Sequence, residues 1–215
     1  MKVLISDNLS KQGVDILKNA GLEVDARAKT SVDELMSIIG DYDALIIRSA
    51  TKVNEQLLDA AKKLKIVGRA GSGLDNVDIP ASTKRGVIVM NTPGGNTITT
   101  AEHTIGMLFA AARYIPQAAA SLKQGQWEKK KFMGIELNGK TLGIIGIGNI
   151  GGVVANRAQG LKMNVIAFDP FISPEKVKEM GIELVSMDEL YKRSDFISIH
   201  TPVTKETKNL INKDT

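Results

Sequence analysis

The chain has 215 residues, 43% hydrophobic and 24% charged, with a formal net charge of +4. At roughly 100–200 residues per domain this allows one large domain or two small ones, and the apolar content excludes a disordered chain. The absence of Cys excludes disulfides, thiolate metal sites and cysteine nucleophiles, and two His give no basis for a zinc site.

The charge balance is compatible with an anionic ligand but too dispersed to argue for nucleic acid. The N-terminus has only a short apolar run before Ser6 and Asp7, which lacks the pattern of a secretory signal, and no run elsewhere is long enough to span a bilayer. A cytoplasmic protein without membrane or nucleic-acid partners is expected.

Short β-branched runs alternate with helical patterns. Val3–Ile5, Ala44–Ile47, Ile66–Val67 and Val87–Met90 predict buried strands. Between them Leu9, Gly13, Ile16, Leu17 and Ala20 share one helix face, as do Leu57, Leu58, Ala61 and Leu64. Strands alternating with helices imply βαβ units, and continuous apolar strands suit a parallel sheet covered on both faces.

The turn formers Asn91–Asn96 mark the best domain boundary. A long helix is expected from Thr99, which forms a capping box with Glu102. Ile105, Leu108, Phe109, Ala112, Ile115, Ala119 and Leu122 make its apolar stripe, and Pro116 is expected to kink it. Such a stripe faces either its own core or a second subunit. After the polar segment 124–131, the alternation restarts with strands at Leu142–Ile145, Val165–Phe168, Glu183–Val185 and Phe196–Ile199. Helices are expected around Ile150–Leu161, Pro174–Met180 and Asp188–Arg193.

The most informative stretch is Leu142–Gly151, which contains Gly146, Gly148 and Gly151 in a G-x-G-x-x-G pattern. The glycines alone carry little weight. Here they follow a strand and open a helix, and the next strand ends in Asp169, eighteen residues after Gly151. That combination predicts a dinucleotide site. Gly146 permits the tight turn, Gly148 leaves room for a pyrophosphate, and Gly151 lets the helix pack on the strand. Asp169 is expected to accept from the ribose hydroxyls and to repel a 2′-phosphate, favouring NAD over NADP.

Three further loops fall at strand ends, the rim where parallel sheets bind ligands. Arg48 and Ser49 offer a guanidinium and a hydroxyl to a carboxylate or phosphate. Gly71-Ser72-Gly73 can present adjacent backbone N–H groups to an anion. His200-Thr201-Pro202 ends the last strand. A surface ion pair would also account for Arg48, and a simple turn for Gly71–Gly73. His200 reads as a structural residue, because nothing nearby in sequence supplies an orienting acid, and His103 reads as structural from its place inside the long helix. Lys129–Lys131 reads as a solvated charge run.

Taken together, Val3–Asp7, Arg48–Val53, Val67–Asp78, Val89–Pro93, Trp127–Phe132, Glu136–Gly143 and His200–Pro202 resemble the D-2-hydroxyacid dehydrogenase family in its own order. The resemblance implies two α/β parallel-sheet domains. A flavodoxin-like substrate domain is expected over residues 1–98, and a Rossmann NAD-binding domain, incomplete at its C-terminal end, over 99–215. It implies cofactor contacts from Ser72, Gly146, Gly148, Asn149, Ile150, Gly151, Asp169, His200, Thr201 and Pro202. Arg48, Ser49, Gly71, Ser72 and Gly73 are implied on the substrate side, and the long helix in a homodimer. The implied activity is NAD-dependent oxidation of 3-phospho-D-glycerate to 3-phosphohydroxypyruvate, the first step of phosphorylated serine biosynthesis. Other D-2-hydroxy acids share these loops.

Two departures bear on this. Gly152 stands where the family often has Arg, and two adjacent glycines at a helix start cost about 1 kcal/mol in helix propensity. The family's catalytic Arg, orienting acid and acid–base His lie downstream of the equivalent of Thr215, so no residue here is assigned to catalysis. The polypeptide ending at Thr215 is therefore expected to show no turnover. The competing reading is a non-catalytic NAD(H)-binding or sensing module. Whether the reading frame continues into an Arg, an acid and a His discriminates the two.

Overall fold

The computed structural model describes residues 1–213 and 215. It divides into two compact units, Met1–Asn96 and Thr97–Thr215. No helix among the described residues is long and apolar enough to cross a membrane.

The first unit runs β1 (Lys2–Ile5), α1 (Lys11–Asn19), β2 (Glu23–Ala26), α2 (Val32–Ile38), β3 (Ala44–Ile47) and α3 (Glu55–Ala60). It continues through β4 (Ile66–Arg69), α4 (Ile79–Lys84) and β5 (Ile88–Asn91). The strands form one parallel sheet in the order β2-β1-β3-β4-β5. Because side chains alternate across a strand, the register Leu4↔Leu45↔Val67 puts these three on one face. There they meet Leu35, Leu57, Leu58 and Ala81 of α2, α3 and α4 in the core. Local chemistry starts these helices: Ser10, Ser31, Asn54 and Asp78 each accept a first-turn N–H.

The other sheet face is less covered. Val3, Ala44 and Ile46 line an apolar hollow of about 380 Å³ together with Leu9, Ile16 and Leu17. The apolar face of α1 buries no residue, and Ile16 is 61% exposed.

The second unit opens with α5 (Thr97–Arg113) and α6 (Ile115–Lys123), then a 3₁₀ turn (Lys129–Phe132). It continues with β6 (Thr141–Ile145), α7 (Asn149–Gly160), β7 (Asn164–Phe168), α8 (Pro174–Glu179), β8 (Glu183–Leu184), α9 (Met187–Arg193) and β9 (Phe196–Ile199). Its sheet is also parallel, in the order β8-β7-β6-β9. Ala101 and Ala112 of α5 join Val154, Ala155 and Ala158 of α7 in the core against Ile144 and Ala167. Leu190 of α9 packs against Ile145 and Ile166 on the opposite face.

The long helix differs from expectation at both ends. It begins at Thr97, so Thr99 lies inside the first turn and does not cap it. The turn through Pro93–Asn96, with Gly94 at φ 82°, already delivers the chain into helical geometry there. Pro116 does more than kink the helix. Tyr114 takes a left-handed conformation at φ 53°, and a separate helix starts with Pro116 in its first turn, where its missing N–H costs nothing. The apolar stripe divides with it. Ile105, Leu108 and Phe109 pack on the core, whereas Ile115 and Leu122 are 51% and 58% exposed.

Candidate functional site

In the second unit, β6 delivers the chain into the glycine loop at the point where the strand order reverses between β6 and β9. Gly146 has φ 93°, and a Cβ there would lie 2.8 Å from the carbonyl oxygen of His200. At Gly151 a Cβ would collide with the carbonyl oxygen of Gly146. Both positions therefore require glycine for close approach. Gly148 differs, because a Cβ there would meet nothing within 4 Å and would fill only the open space before α7. No side chain caps the N-terminus of α7, leaving its first-turn N–H groups to a ligand.

Asp169 closes this loop. Its Oδ2 accepts from the N–H of Ile147 at 2.8 Å, and its Oδ1 accepts from the N–H of Phe171 at 2.8 Å. A carboxylate offers about four lone-pair sites, so capacity for a vicinal diol remains. His200 and Thr201 complete the wall, since the N–H of His200 donates to the Ile145 carbonyl at 2.8 Å and Thr201 Cγ2 adjoins Gly146. The carbonyl of Pro202 accepts from the Thr207 hydroxyl at 2.6 Å. Asn149 is exposed at the start of α7, and Ile150 is half-buried against the core. The residue pair Gly151-Gly152 is supported from outside, because Met180 Cε would stand 3.1 Å from a Cβ at 152.

His200 is half-buried and its Nε2 lies 2.9 Å from Ser198 Oγ. Burial holds its pKa below the ordinary 6.5. His103 is exposed on α5.

In the first unit, Arg48, Ser49, Gly71, Ser72 and Gly73 line one hollow of about 500 Å³ at the carboxyl rim of the sheet. Three residues that the sequence did not single out hold it together. Asp7, 7% exposed, accepts from the backbone N–H of Arg48 at 2.6 Å, the N–H of Thr51 at 3.2 Å and the Thr51 hydroxyl at 2.8 Å. Asn76 Nδ2 donates to the carbonyls of Arg48 and Thr51 at 2.7 and 2.6 Å.

Arg69 is the third such residue. Its Nε donates to the Arg48 carbonyl at 3.3 Å, its Nη1 donates to the Gly73 carbonyl, and its Nη2 pairs with Asp75 at 3.4 Å. A Cβ at Gly73 would lie 2.9 Å from Arg69 Nη1, so the glycine leaves the guanidinium room to lie across the loop. Ser72 Oγ donates to Asn96 Oδ1 at 2.6 Å, and Asn91 Nδ2 donates to the Ser72 carbonyl at 2.7 Å. The signal available in the sequence was an arginine at the end of β4 directly before a glycine loop.

The NAD binding domain of the D-isomer specific 2-hydroxyacid dehydrogenases matches residues 105–215. The chain belongs to the D-isomer specific 2-hydroxyacid dehydrogenase family. Among its relatives, D-3-phosphoglycerate dehydrogenase of Archaeoglobus fulgidus is 52% identical over 213 residues, which is 99% of this chain and 40% of that protein. The chain thus spans about 40% of the length of the curated relatives it matches. In structure it resembles a protein from Thermus thermophilus at TM-score 0.89 and 33% identity, covering 98% of this chain and 68% of that one. It also resembles NAD-dependent formate dehydrogenase from Staphylococcus aureus in complex with NAD, at TM-score 0.87 and 28% identity, covering 100% and 69%. The matched residues 105–215 lie in the second unit and carry the family's Rossmann-type NAD-binding fold.

Asp7→Ala leaves the buried Thr51 donors and the partly buried Arg48 amide without their acceptor, at a cost of about 1–3 kcal/mol. Chemical denaturation should show that loss, and hydrogen exchange at the Arg48 and Thr51 amides should accelerate at least tenfold. His200 should titrate below pH 6.5 by NMR. Its folded pKa is depressed, so the stability contributed by the neutral ring is fully present above pH 6.5 and is lost as pH falls below it.

Proposed function

We propose that the chain provides the NAD site and part of the substrate site of a D-3-phosphoglycerate dehydrogenase. The reaction is 3-phospho-D-glycerate plus NAD⁺ giving 3-phosphohydroxypyruvate, NADH and a proton, at the entry to serine biosynthesis in the cytoplasm. The observation that carries this reading is the glycine loop tied to Asp169, supported by 52% identity to a protein of that name.

The residues suit the cofactor. Open space at Gly148, the uncapped α7 and the anchored Asp169 match a pyrophosphate and a ribose diol. When bound, NAD⁺ supplies the hydride acceptor. The N–H groups at the start of α7, with Asn149 and Ile150 beside them, hold the pyrophosphate, and Gly151 keeps the helix close to β6. Asp169 takes the ribose hydroxyls and disfavours a 2′-phosphate by charge. His200, Thr201 and Pro202 bound the site from β9.

We assign residues 1–98 to substrate binding and 99–215 to the cofactor. Arg48 and Ser49, with the N–H groups of Gly71–Gly73, take the anionic groups of the hydroxy acid. No residue is assigned to proton transfer. We further propose a homodimer through α5 and α6, because Met107, Ile115 and Leu122 are each more than half exposed there. Neither nucleic acid nor membrane is a partner in this reading.

Asp169→Ala should weaken NAD binding about tenfold or more, the size of a lost charge-assisted hydrogen bond, and weaken NADP binding less. Asp169→Asn, which keeps the side-chain oxygen, should narrow the preference for NAD. Fluorescence titration of both cofactors checks this, and equal losses contradict the ribose role. Light scattering should give twice the chain mass, reduced to the monomer by Leu122→Asp; a monomeric wild type contradicts the dimer.

A further inference from the structure

The turn that leads into β6 holds the one Asn-Gly pair in the sequence, Asn138-Gly139. Both residues are exposed, although Leu137 before them is buried. The Lys140 N–H donates to the Leu137 carbonyl at 3.0 Å, and Gly139 is left-handed at φ 73°. Asn138 is not among the left-handed residues, so the turn is type II with glycine in its third place. A Cβ at Gly139 would meet nothing within 4 Å, so no neighbouring group shields this peptide unit.

Asparagine is a labile residue, and glycine after it leaves the attacking nitrogen unhindered. That nitrogen adds to the Asn138 side-chain carbon, closing a five-membered succinimide while the amide nitrogen departs with a proton as ammonia. Water then opens the ring, giving aspartate or, with the chain rerouted through the side-chain carbon, isoaspartate. Two features of the fold oppose the first step. The extended ψ that a type II turn gives its second residue turns the Gly139 nitrogen away from the Asn138 side chain. The same nitrogen is also engaged, because its N–H donates to the Lys162 carbonyl at 2.9 Å. Asn164 closes the clamp: its Nδ2 donates to the Gly139 carbonyl at 3.1 Å and its N–H to the Lys140 carbonyl at 2.9 Å.

We propose that Asn138 is a site of spontaneous deamidation, restrained in the folded chain by the clamp on Gly139 and released when this turn opens. The turn is held mainly by exposed hydrogen bonds, the kind of segment that opens without global unfolding. Isoaspartate lengthens the backbone by one methylene between buried Leu137 and β6, so it cannot keep the Lys140–Leu137 bond in place. The site lies at the opposite end of β6 from the glycine loop and does not rest on the NAD reading.

Incubating the 215-residue chain at mildly alkaline pH, with tryptic mapping over time, tests the proposal. Trypsin releases Phe132–Lys140, whose only asparagine is Asn138. A synthetic peptide of that sequence supplies the unrestrained rate. Isoaspartate is expected at Asn138 before any other asparagine, at least tenfold more slowly than in the peptide. Asn164→Ala should speed it at least threefold. In both proteins the rate should follow hydrogen exchange at the Gly139 amide and not at the Ile144 amide of β6, which separates turn opening from global unfolding. A rate equal to the peptide's, or one unchanged by Asn164→Ala, would overturn the clamp. Deamidation confined to other asparagines, or a rate that follows Ile144, would overturn the site.

Discussion

The hydrogen bond from the Ile147 N–H to the Asp169 carboxylate, 2.8 Å long, sets the geometry on which the proposed cofactor site depends. It ties the loop after β6 to the end of β7, so the tight turn is fixed at two points instead of one. The second oxygen is taken by Phe171, which leaves the carboxylate no freedom to swing away. The first unit uses the same device with a deeper group. Asp7, after β1, holds the loop after β3 through three hydrogen bonds. Removing these acceptors strands the buried donors of Ile147 and Thr51, so those contacts matter more than their small net contribution implies.

The two rims differ in how they present positive charge. In the second unit it comes from the backbone: α7 starts uncapped at Gly148, and the aligned peptide dipoles place about half a positive charge there. In the first unit it comes from side chains, and part of it is committed to structure. Arg69 bridges the Arg48 carbonyl and the Gly73 carbonyl, so the glycine loop is shaped around a guanidinium. The Arg48 guanidinium makes only a 3.5 Å contact with the Asn8 carbonyl and borders the same hollow.

Much of this was legible in the residues. Ala44–Ile47 and Phe196–Ile199 match their predicted strands because short Ile-rich runs set between polar residues admit few other readings. The glycine loop was legible because its spacing is dictated by close backbone approach at Gly146 and Gly151. β2 was not, since Glu23–Ala26 is a four-residue edge strand carrying two acids. The break at Tyr114 was hidden because the apolar spacing continues across it, while Ile115 and Leu122 turn out exposed. Asp7 acts on Arg48 across 41 positions, and Asn76 across 28, distances over which no local pattern reports a contact.

Whether the loop from Gly146 to Gly151, with Asp169, receives NAD is tested most directly by titrating the chain with NAD⁺ while following its backbone amides. Saturable shifts are predicted to concentrate at Gly146–Gly151 and Phe168–Phe171, with the N–H of Ile147 among the largest. Saturable binding that leaves those amides unmoved, or no saturable binding at millimolar NAD⁺, would contradict a dinucleotide site there.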